Sequence, residues 1–160
     1  MSIKDKVFYI GIGQGGGNLA QGLENKGYPT LAINTSKEDL NTLTIKHKYH
    51  IVGGEGCSKD RSIGRDLIRK DFPNISTQIK NHAGDAEIIF VGYTSGGGTG
   101  SSQGPVLVDI LTMHPDYKDK IICSVVILPS NKESIQANSN AYCCFKEISN
   151  KKGWSLLCTR

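Results

Sequence analysis

The sequence predicts an α/β fold in which a Rossmann-like parallel sheet carries helices on both faces. Strand-like runs of β-branched and aromatic residues alternate with segments whose apolar residues recur at helical spacing. The run from Lys120 to Leu128 is apolar almost throughout, which is typical of a strand that is buried on both faces. Strands that alternate with helices are joined by right-handed crossovers, and such sheets bind ligands beyond the carboxyl ends of their strands.

The order of the elements follows from this alternation. The strands are expected at residues 6–12, 30–34, 50–52, 86–93, 120–128 and 154–158. The helices between them are expected at residues 19–26, 36–43, 59–70, 75–83, 106–113 and 133–149. Ser36 is placed to cap the second helix, with Asp39 as its capping-box partner. Pro73 is expected to separate the third helix from the fourth, because proline has no N–H group to donate.

The composition is that of one globular domain and gives no indication of a membrane or nucleic-acid partner. The 160 residues are 38% hydrophobic and 21% charged, and their net charge of +4 is spread along the chain. The basic residues of the third helix, among them Arg61 and Arg65, are interpreted as a solvated face. No apolar run approaches the roughly 20 residues of a membrane span, and no signal peptide is recognised. The five cysteines lack C-x-x-C spacing and are interpreted as reduced thiols, so a cytoplasmic location is expected.

Glycine-rich or short polar segments follow four of the expected strands. They are Gly13 to Asn18, Asn34-Thr35, Gly53 to Ser58, and Gly96 to Ser101. At a glycine the backbone N–H groups can close on phosphate oxygens, and the N-terminus of the following helix adds a partial positive charge. A flexible Gly/Ser loop is the alternative interpretation of a single cluster. Several clusters at one edge of the sheet favour a nucleotide site.

The motifs narrow the choice of nucleotide. No Gly-Lys-Ser/Thr follows any of the glycine clusters, which argues against a Walker P-loop. The spacing Gly11-x-Gly13-x-x-Gly16 matches the dinucleotide fingerprint, but that fold requires Asp or Glu after the second strand, where this chain has Asn34-Thr35. A dinucleotide-binding oxidoreductase domain therefore remains an alternative. The sequence contains no nucleophile–base pair that indicates covalent catalysis.

The same segments resemble the nucleotide loops of the tubulin/FtsZ superfamily. The most specific of them is Gly96-Gly97-Gly98-Thr99-Gly100-Ser101, and it occurs with the others in the right order. The similarity covers essentially the whole chain and is greatest to the plasmid- and phage-borne TubZ type. The resemblance implies binding of GTP and GDP with Mg²⁺ and self-association into head-to-tail filaments. For the TubZ type it also implies segregation of plasmid or phage DNA through a DNA-bound adaptor protein, without direct contact to DNA.

The resemblance also assigns residues of the nucleotide site. Backbone N–H groups of two segments would hold the phosphates: Gly13, Gln14 and Gly15, and Gly96, Gly97, Gly98, Thr99, Gly100 and Ser101. Gln14 would also lie near the metal ion, as its amide oxygen permits. The other assigned residues are Asn18 for the guanine, Asn34 after the second strand, Gly56, Cys57 and Ser58 for the γ-phosphate, and Pro129 and Glu133 for the ribose.

The chain departs from this family in its length. Members are usually more than twice as long and continue into a guanine-reading asparagine, a long central helix, an acidic residue that activates water on the neighbouring subunit, and a second domain. Residues 1–160 are therefore expected to be a GTP-binding domain truncated before the central helix, with an apolar face left open. No catalytic residue is assigned, and the chain alone is expected to hydrolyse GTP slowly or not at all. The alternative is a non-catalytic short form that binds or caps filaments.

Overall fold

The computed structural model describes residues 2–57 and 60–150, and the backbone of residues 154–158. Six parallel strands form one sheet in the order β3-β2-β1-β4-β5-β6. The strands are β1 (Val7–Ile12), β2 (Thr30–Asn34), β3 (Lys48–His50), β4 (Ile88–Thr94), β5 (Ile121–Ile127) and β6 (Trp154–Cys158). The helices are α1 (Gly13–Glu24), α2 (Lys37–Thr42), α3 (Arg61–Ala83), α4 (Gly98–Met113) and α5 (Ile135–Ser149). The predicted fold class is confirmed.

The strand order reverses between β1 and β4. From β1 the chain proceeds outward through β2 to β3, whereas β4, β5 and β6 build the other side of the sheet. Gly11 of β1 is therefore paired with Ala32 on one side and with Gly92 on the other. Helix α1 begins directly after β1, and α4 begins after the short segment 95–97 that follows β4. The crevice between these two carboxyl ends is the place where open parallel sheets bind their ligands.

Apolar side chains cover both faces of the sheet. The larger core lies under α3, α4 and α5, where Phe8, Ile10 and Ile12 are fully buried. The smaller core includes Tyr9 and lies on the face of α1 and α2. An apolar cleft of about 410 Å³ remains on that second face, lined by Ile3, Val7, Tyr9, Leu19, Leu23, Tyr28, Phe90 and Val125. An open apolar face was expected, and its cover by a central helix stays a prediction.

Helix α3 continues through Pro73, so the prediction of an interruption there is wrong. Ile68 and Ile75 lie on either side of the proline and are both fully buried against the sheet. Pro73 itself is exposed, as is Arg69, whose carbonyl group would have been the acceptor for the missing N–H. Water can hydrogen-bond that carbonyl, so the apolar packing of the helix outweighs the lost bond.

Strand β3 occupies residues 48–50 and not the expected residues 50–52. Its register pairs Lys48 with Ala32 and His50 with Asn34. The ladder stops before Val52, because the N–H of Val52 donates to the buried carboxylate of Asp71 on α3 (2.9 Å). A side chain on another element thus decides where this strand ends.

The structure also bears on two features of the sequence, the cysteines and the membrane-spanning potential of the helices. The described cysteine side chains, Cys57, Cys123, Cys143 and Cys144, are all free thiols. Burial raises the pKa of Cys144 to about 12, so this thiol stays protonated at neutral pH. Among the described residues, no helix combines the length and the apolar character needed to cross a membrane.

Candidate nucleotide-binding site

A cavity of about 290 Å³ opens at the carboxyl ends of β1 and β4. Its walls come from the starts of α1 and α4, from α2, and from the segment between β5 and α5. They contain Gly13, Gln14, Gly15, Asn18, Asp39, Thr94, Gly96, Gly97, Gly98, Thr99, Gly100, Ile127, Leu128, Pro129 and Glu133. The structure therefore brings together the predicted site residues of three separate segments.

The first glycine segment forms the opening turn of α1, so this helix starts six residues earlier than expected. Gly13 has a φ of 70°, a conformation in which a side chain is strained. Gly16 lets the helix approach the sheet, because a Cβ atom there would lie 2.3 Å from the carbonyl oxygen of Gly92. The turn and the close packing together direct the N-terminus of α1 into the cavity.

The second glycine segment likewise opens α4, with Gly97 as its N-cap. The hydroxyl of Ser101 donates to the carbonyl oxygen of Gly97, and the hydroxyl of Ser102 donates to that of Gly98. Both serines thus bind carbonyl groups, and neither caps the N–H groups of the first turn. Ser101 is fully buried behind this turn and does not line the cavity, so its expected contact with phosphate stays a prediction.

The described helices begin in two different ways. Side chains cap α2, α3 and α5 through Ser36 with the Asp39 N–H (3.2 Å), Asp60 with the Ser62 N–H (2.9 Å), and Ser134 with the Ala137 N–H (3.2 Å). The N-cap residue of α1 is Ile12 and that of α4 is Gly97, and neither makes a side-chain capping bond. The first N–H groups of a helix need partners from elsewhere. At these two helix starts, a ligand in the cavity can supply them.

One of the caps carries a charge. The hydroxyl and the N–H of Ser62 both donate to the carboxylate of Asp60 at the start of α3. These hydrogen bonds hold the pKa of Asp60 below its usual value, because they favour the charged form. The N-termini of α1 and α4 have no such anion among their capping residues.

The charged side chains of the cavity are both acidic. Asp39 lies on the α2 wall and Glu133 on the opposite segment, while the described cavity-lining residues include no Lys or Arg. Glu133 precedes α5, which begins two residues later than predicted, and its carboxylate accepts the Ser130 N–H (3.3 Å). Phosphate binding here would therefore depend on backbone N–H groups and on a bound cation.

Asp39 is a cavity residue that the sequence did not reveal. The predicted Ser36 cap is present, but the Asp39 carboxylate accepts the side-chain amide of Asn34 (3.1 Å), and no capping-box bond from it is seen. Asn34 is itself buried and outside the cavity, and its amide oxygen accepts the Ser36 N–H (3.2 Å). Asn34 thus orients Asp39, and its expected direct contact with nucleotide stays a prediction.

The described part of the third glycine segment does not line the main cavity but contacts Thr35, which hydrogen-bonds the cavity-lining residue Thr99. It borders a neighbouring cavity of about 240 Å³, lined by Thr35, Ser36, Lys37, Glu38, His50, Gly54 and Glu55. The Thr35 hydroxyl hydrogen-bonds the Thr99 hydroxyl (2.9 Å) and lies 3.5 Å from the Cys57 sulfur, and the Gly56 N–H donates to the Thr35 carbonyl (3.0 Å). Within the part of the chain that the structure describes, these contacts link Gly56 and Cys57 to the main cavity through Thr35. Ser58 lies outside the described residues.

Comparisons with known proteins agree with this geometry. The chain matches the model of the Tubulin/FtsZ family, GTPase domain, over residues 6–157. It is 35% identical over 149 residues to the tubulin-like protein TubZ of Clostridium botulinum C phage, which covers 91% of this chain and 41% of that protein.

Solved structures show the same similarity. Clostridium botulinum phage c-st TubZ has a TM-score of 0.88 at 34% identity, over 99% of this chain and 55% of that one. CetZ2 from Haloferax volcanii, solved as a GTPγS-bound protofilament, has a TM-score of 0.86 at 28% identity, over 96% of this chain and 49% of that one. The chain spans 41% of the length of the TubZ relative that it matches. Because the family model covers nearly the whole sequence, the chain belongs to the tubulin/FtsZ family and comprises its GTPase domain.

Proposed function

We propose that this domain binds GTP and GDP together with Mg²⁺, as the nucleotide-binding part of a filament-forming GTPase. The observation that carries the proposal is the meeting of two helix starts without side-chain caps, those of α1 and α4, in one cavity. Each start offers N–H donors and a partial positive charge to an anion. Membership of the tubulin/FtsZ family supports a guanine nucleotide as that anion.

The residues present suit a nucleotide with Mg²⁺. The diphosphate would accept N–H groups from the first turns of α1 and α4. Because the described walls contain no basic side chain, a cation would balance the remaining negative charge. Mg²⁺ keeps several of its waters and binds phosphate oxygens with only one or two protein ligands, and the exposed amide of Gln14 is such an oxygen donor. Bound there, Mg²⁺ would neutralise charge on the phosphates.

Other residues that line the cavity suit the nucleoside. Asn18 lies one helical turn after Gln14 and offers an amide to the guanine. The Glu133 carboxylate can accept hydrogen bonds from the ribose hydroxyls, beside the apolar side chains of Leu128 and Pro129. Asp39 adds a second carboxylate from the α2 wall. In this proposal these groups contact the sugar and the base, while the helix starts bind the phosphates.

Filament assembly is the second part of the proposal. CetZ2 was solved as a protofilament, and by resemblance the pocket of one subunit would face the next subunit head to tail. The neighbouring subunit would supply the acidic residue that activates water, so this chain alone would hydrolyse GTP slowly. The similarity to a phage TubZ favours a cytoplasmic role in segregating plasmid or phage DNA through an adaptor protein.

A thermal-unfolding series tests nucleotide binding. The chain is unfolded with GTP, GDP, ATP or NAD, each with and without Mg²⁺. A ligand at 100 times its Kd adds about 2.7 kcal/mol to the free energy of unfolding, which raises the Tm by roughly 5–10 °C for a domain of this size. We expect this shift with GTP and GDP. A shift with NAD alone would indicate the dinucleotide-binding alternative, and no shift with any nucleotide would contradict the proposal.

A further inference from the structure

Helix α4 lacks one hydrogen-bond donor directly behind its nucleotide-facing turn. In a regular helix the carbonyl oxygen of Ser101 accepts the N–H of the residue four positions later. That residue is Pro105, which lies inside the helix and has no N–H. Ser101 is fully buried, so solvent is a poor substitute for the missing donor. The carbonyl needs a partner from another element.

Arg61 of α3 supplies that partner. Its Nη2 donates to the Ser101 carbonyl oxygen (2.8 Å) and its Nε donates to the Ser101 hydroxyl (3.2 Å). Glu147 of α5 holds the same guanidinium from the other side, 2.9 Å from Nη2, and also pairs with Arg65. The Arg61 side chain is only 14% exposed, so the interpretation of this residue as part of a solvated face is wrong. Charged donors in such partly buried places form strong hydrogen bonds.

The contact extends to the wall of the cavity. The Ser101 hydroxyl that receives the Arg61 Nε in turn donates to the carbonyl oxygen of Gly97, the N-cap of α4. Gly97 and the residues up to Gly100 line the cavity, whereas Arg61 does not. Arg61 therefore contacts this turn from outside the walls of the cavity.

We propose that Arg61 is a positioning residue for the nucleotide site. Its guanidinium replaces the backbone donor that Pro105 lacks, and so fixes the first turn of α4 in the geometry that presents N–H groups to phosphate. The proposal rests on the proposed nucleotide binding and adds a second requirement to it. The requirement is that Arg61 donates to the carbonyl oxygen that Pro105 leaves without a backbone donor. A helix without the proline would not need the arginine.

A double-mutant cycle tests this pairing. GDP affinity is measured in the presence of Mg²⁺ by calorimetry for the unsubstituted chain, Arg61→Ala, Pro105→Ala and the double variant. We expect Arg61→Ala to weaken GDP binding about tenfold or more, because the buried carbonyl loses its charged donor. Pro105→Ala restores a backbone N–H to the same carbonyl. In that background the effect of Arg61→Ala is expected to shrink to about threefold or less.

Two further variants separate positioning from general stability. Glu147→Gln removes the ion pair to α5 but leaves the guanidinium on Ser101, so its effect on GDP affinity should be smaller than that of Arg61→Ala. Arg61→Lys keeps a charge with a single-point donor and should recover part of the affinity. If Arg61→Ala does not fold, Arg61→Lys can take its place in the double-mutant cycle. Pro105→Ala should then reduce the loss of GDP affinity that Arg61→Lys causes.

The outcomes are distinguishable. Unchanged GDP affinity in Arg61→Ala, or an equal loss with and without Pro105→Ala, would overturn the positioning role while leaving nucleotide binding intact. Failure of the unsubstituted chain to bind any guanine nucleotide would contradict the proposed function, and the positioning role with it. Suppression of the Arg61→Ala defect by Pro105→Ala supports both.

Discussion

Helices α1 and α4 begin without a side-chain cap, whereas α2, α3 and α5 each begin with one. Each of these helices follows a strand of the same parallel sheet, either directly or after a loop. In every one of them, the first N–H groups need partners from outside the helix. At each capped start, a side chain of the chain itself accepts one of these N–H groups. The starts of α1 and α4 meet at the cavity, where the proposed nucleotide would accept their N–H groups. Helix starts without caps thus mark the candidate site as clearly as the residues that line it.

The largest effect on GDP affinity is expected when α4 is given a side-chain cap of its own. In Gly97→Asp the new carboxylate can accept the first N–H groups of α4 and occupies the place of a phosphate. The backbone permits it, since φ of Gly97 is −80° and a Cβ atom there meets only the Thr94 hydroxyl, at 3.4 Å. We expect GDP affinity to fall by about 100-fold or more, because at least two charge-assisted hydrogen bonds are lost, with no fall in Tm.

Calorimetric titration with GDP and Mg²⁺ measures this effect. Gly97→Ala is the matched control, because it adds the Cβ atom without an acceptor, and it should bind GDP within a few-fold of the unsubstituted chain. Equal affinities for the Asp and Ala variants would show that the N–H groups of α4 do not bind the nucleotide.

The start of α1 is expected to be sensitive in both stability and binding. Gly13→Ala places a side chain at a φ of 70°, and a Cβ atom there would lie 3.2 Å from the backbone nitrogen of Gly100. The strain should lower the free energy of unfolding by about 1–2 kcal/mol. Chemical denaturation measures the loss, and GDP titration should show weakened binding. Gly22→Ala, in the same helix with open space around it, is the control that should do neither.

The capped helices should respond in stability alone. Ser134→Ala removes the acceptor for the Ala137 N–H at the start of α5. We expect the free energy of unfolding to fall by about 1 kcal/mol and GDP affinity to stay within about twofold. Ser134→Asp, which retains a capping acceptor, should restore the stability. A large loss of affinity in Ser134→Ala would contradict the division between capped and ligand-bound starts.

The smallest expected effect concerns the pH dependence of the α3 cap. The pKa of Asp60 is lowered in the folded chain by its hydrogen bonds from Ser62. A carboxyl with a lowered folded pKa adds stability above its unfolded value of 3.8, and this stability is lost as the pH falls through the folded pKa. Asp60→Asn keeps the cap without the titration. Its Tm should therefore fall less steeply than that of the unsubstituted chain below about pH 4, and a similar slope in both chains would contradict the assignment.

The sequence could predict the parts of the site that depend on chain order. In a parallel α/β sheet all strands have their carboxyl ends at the same edge, so the glycines after β1 and β4 and the turn before α5 could be predicted to lie at that edge. Their meeting in one cavity depends on the strand order, in which β1 and β4 are neighbours. The sequence could not predict Asp39, because that carboxylate is oriented by a side-chain contact with Asn34. Nor could it predict the continuity of α3 or the burial of Arg61. Those depend on packing against the sheet and on the one carbonyl that Pro105 leaves without its helical donor.

The acidic walls of the cavity have a consequence for the rate at which a nucleotide enters. The attraction of a helix N-terminus extends over little more than its first turn. The carboxylates of Asp39 and Glu133 line the cavity that a polyphosphate has to enter, and they repel it. Salt screens such repulsion between exposed charges. Association of free GDP is therefore expected to become faster as ionic strength rises. Proteins that capture phosphates with a basic patch show the opposite trend.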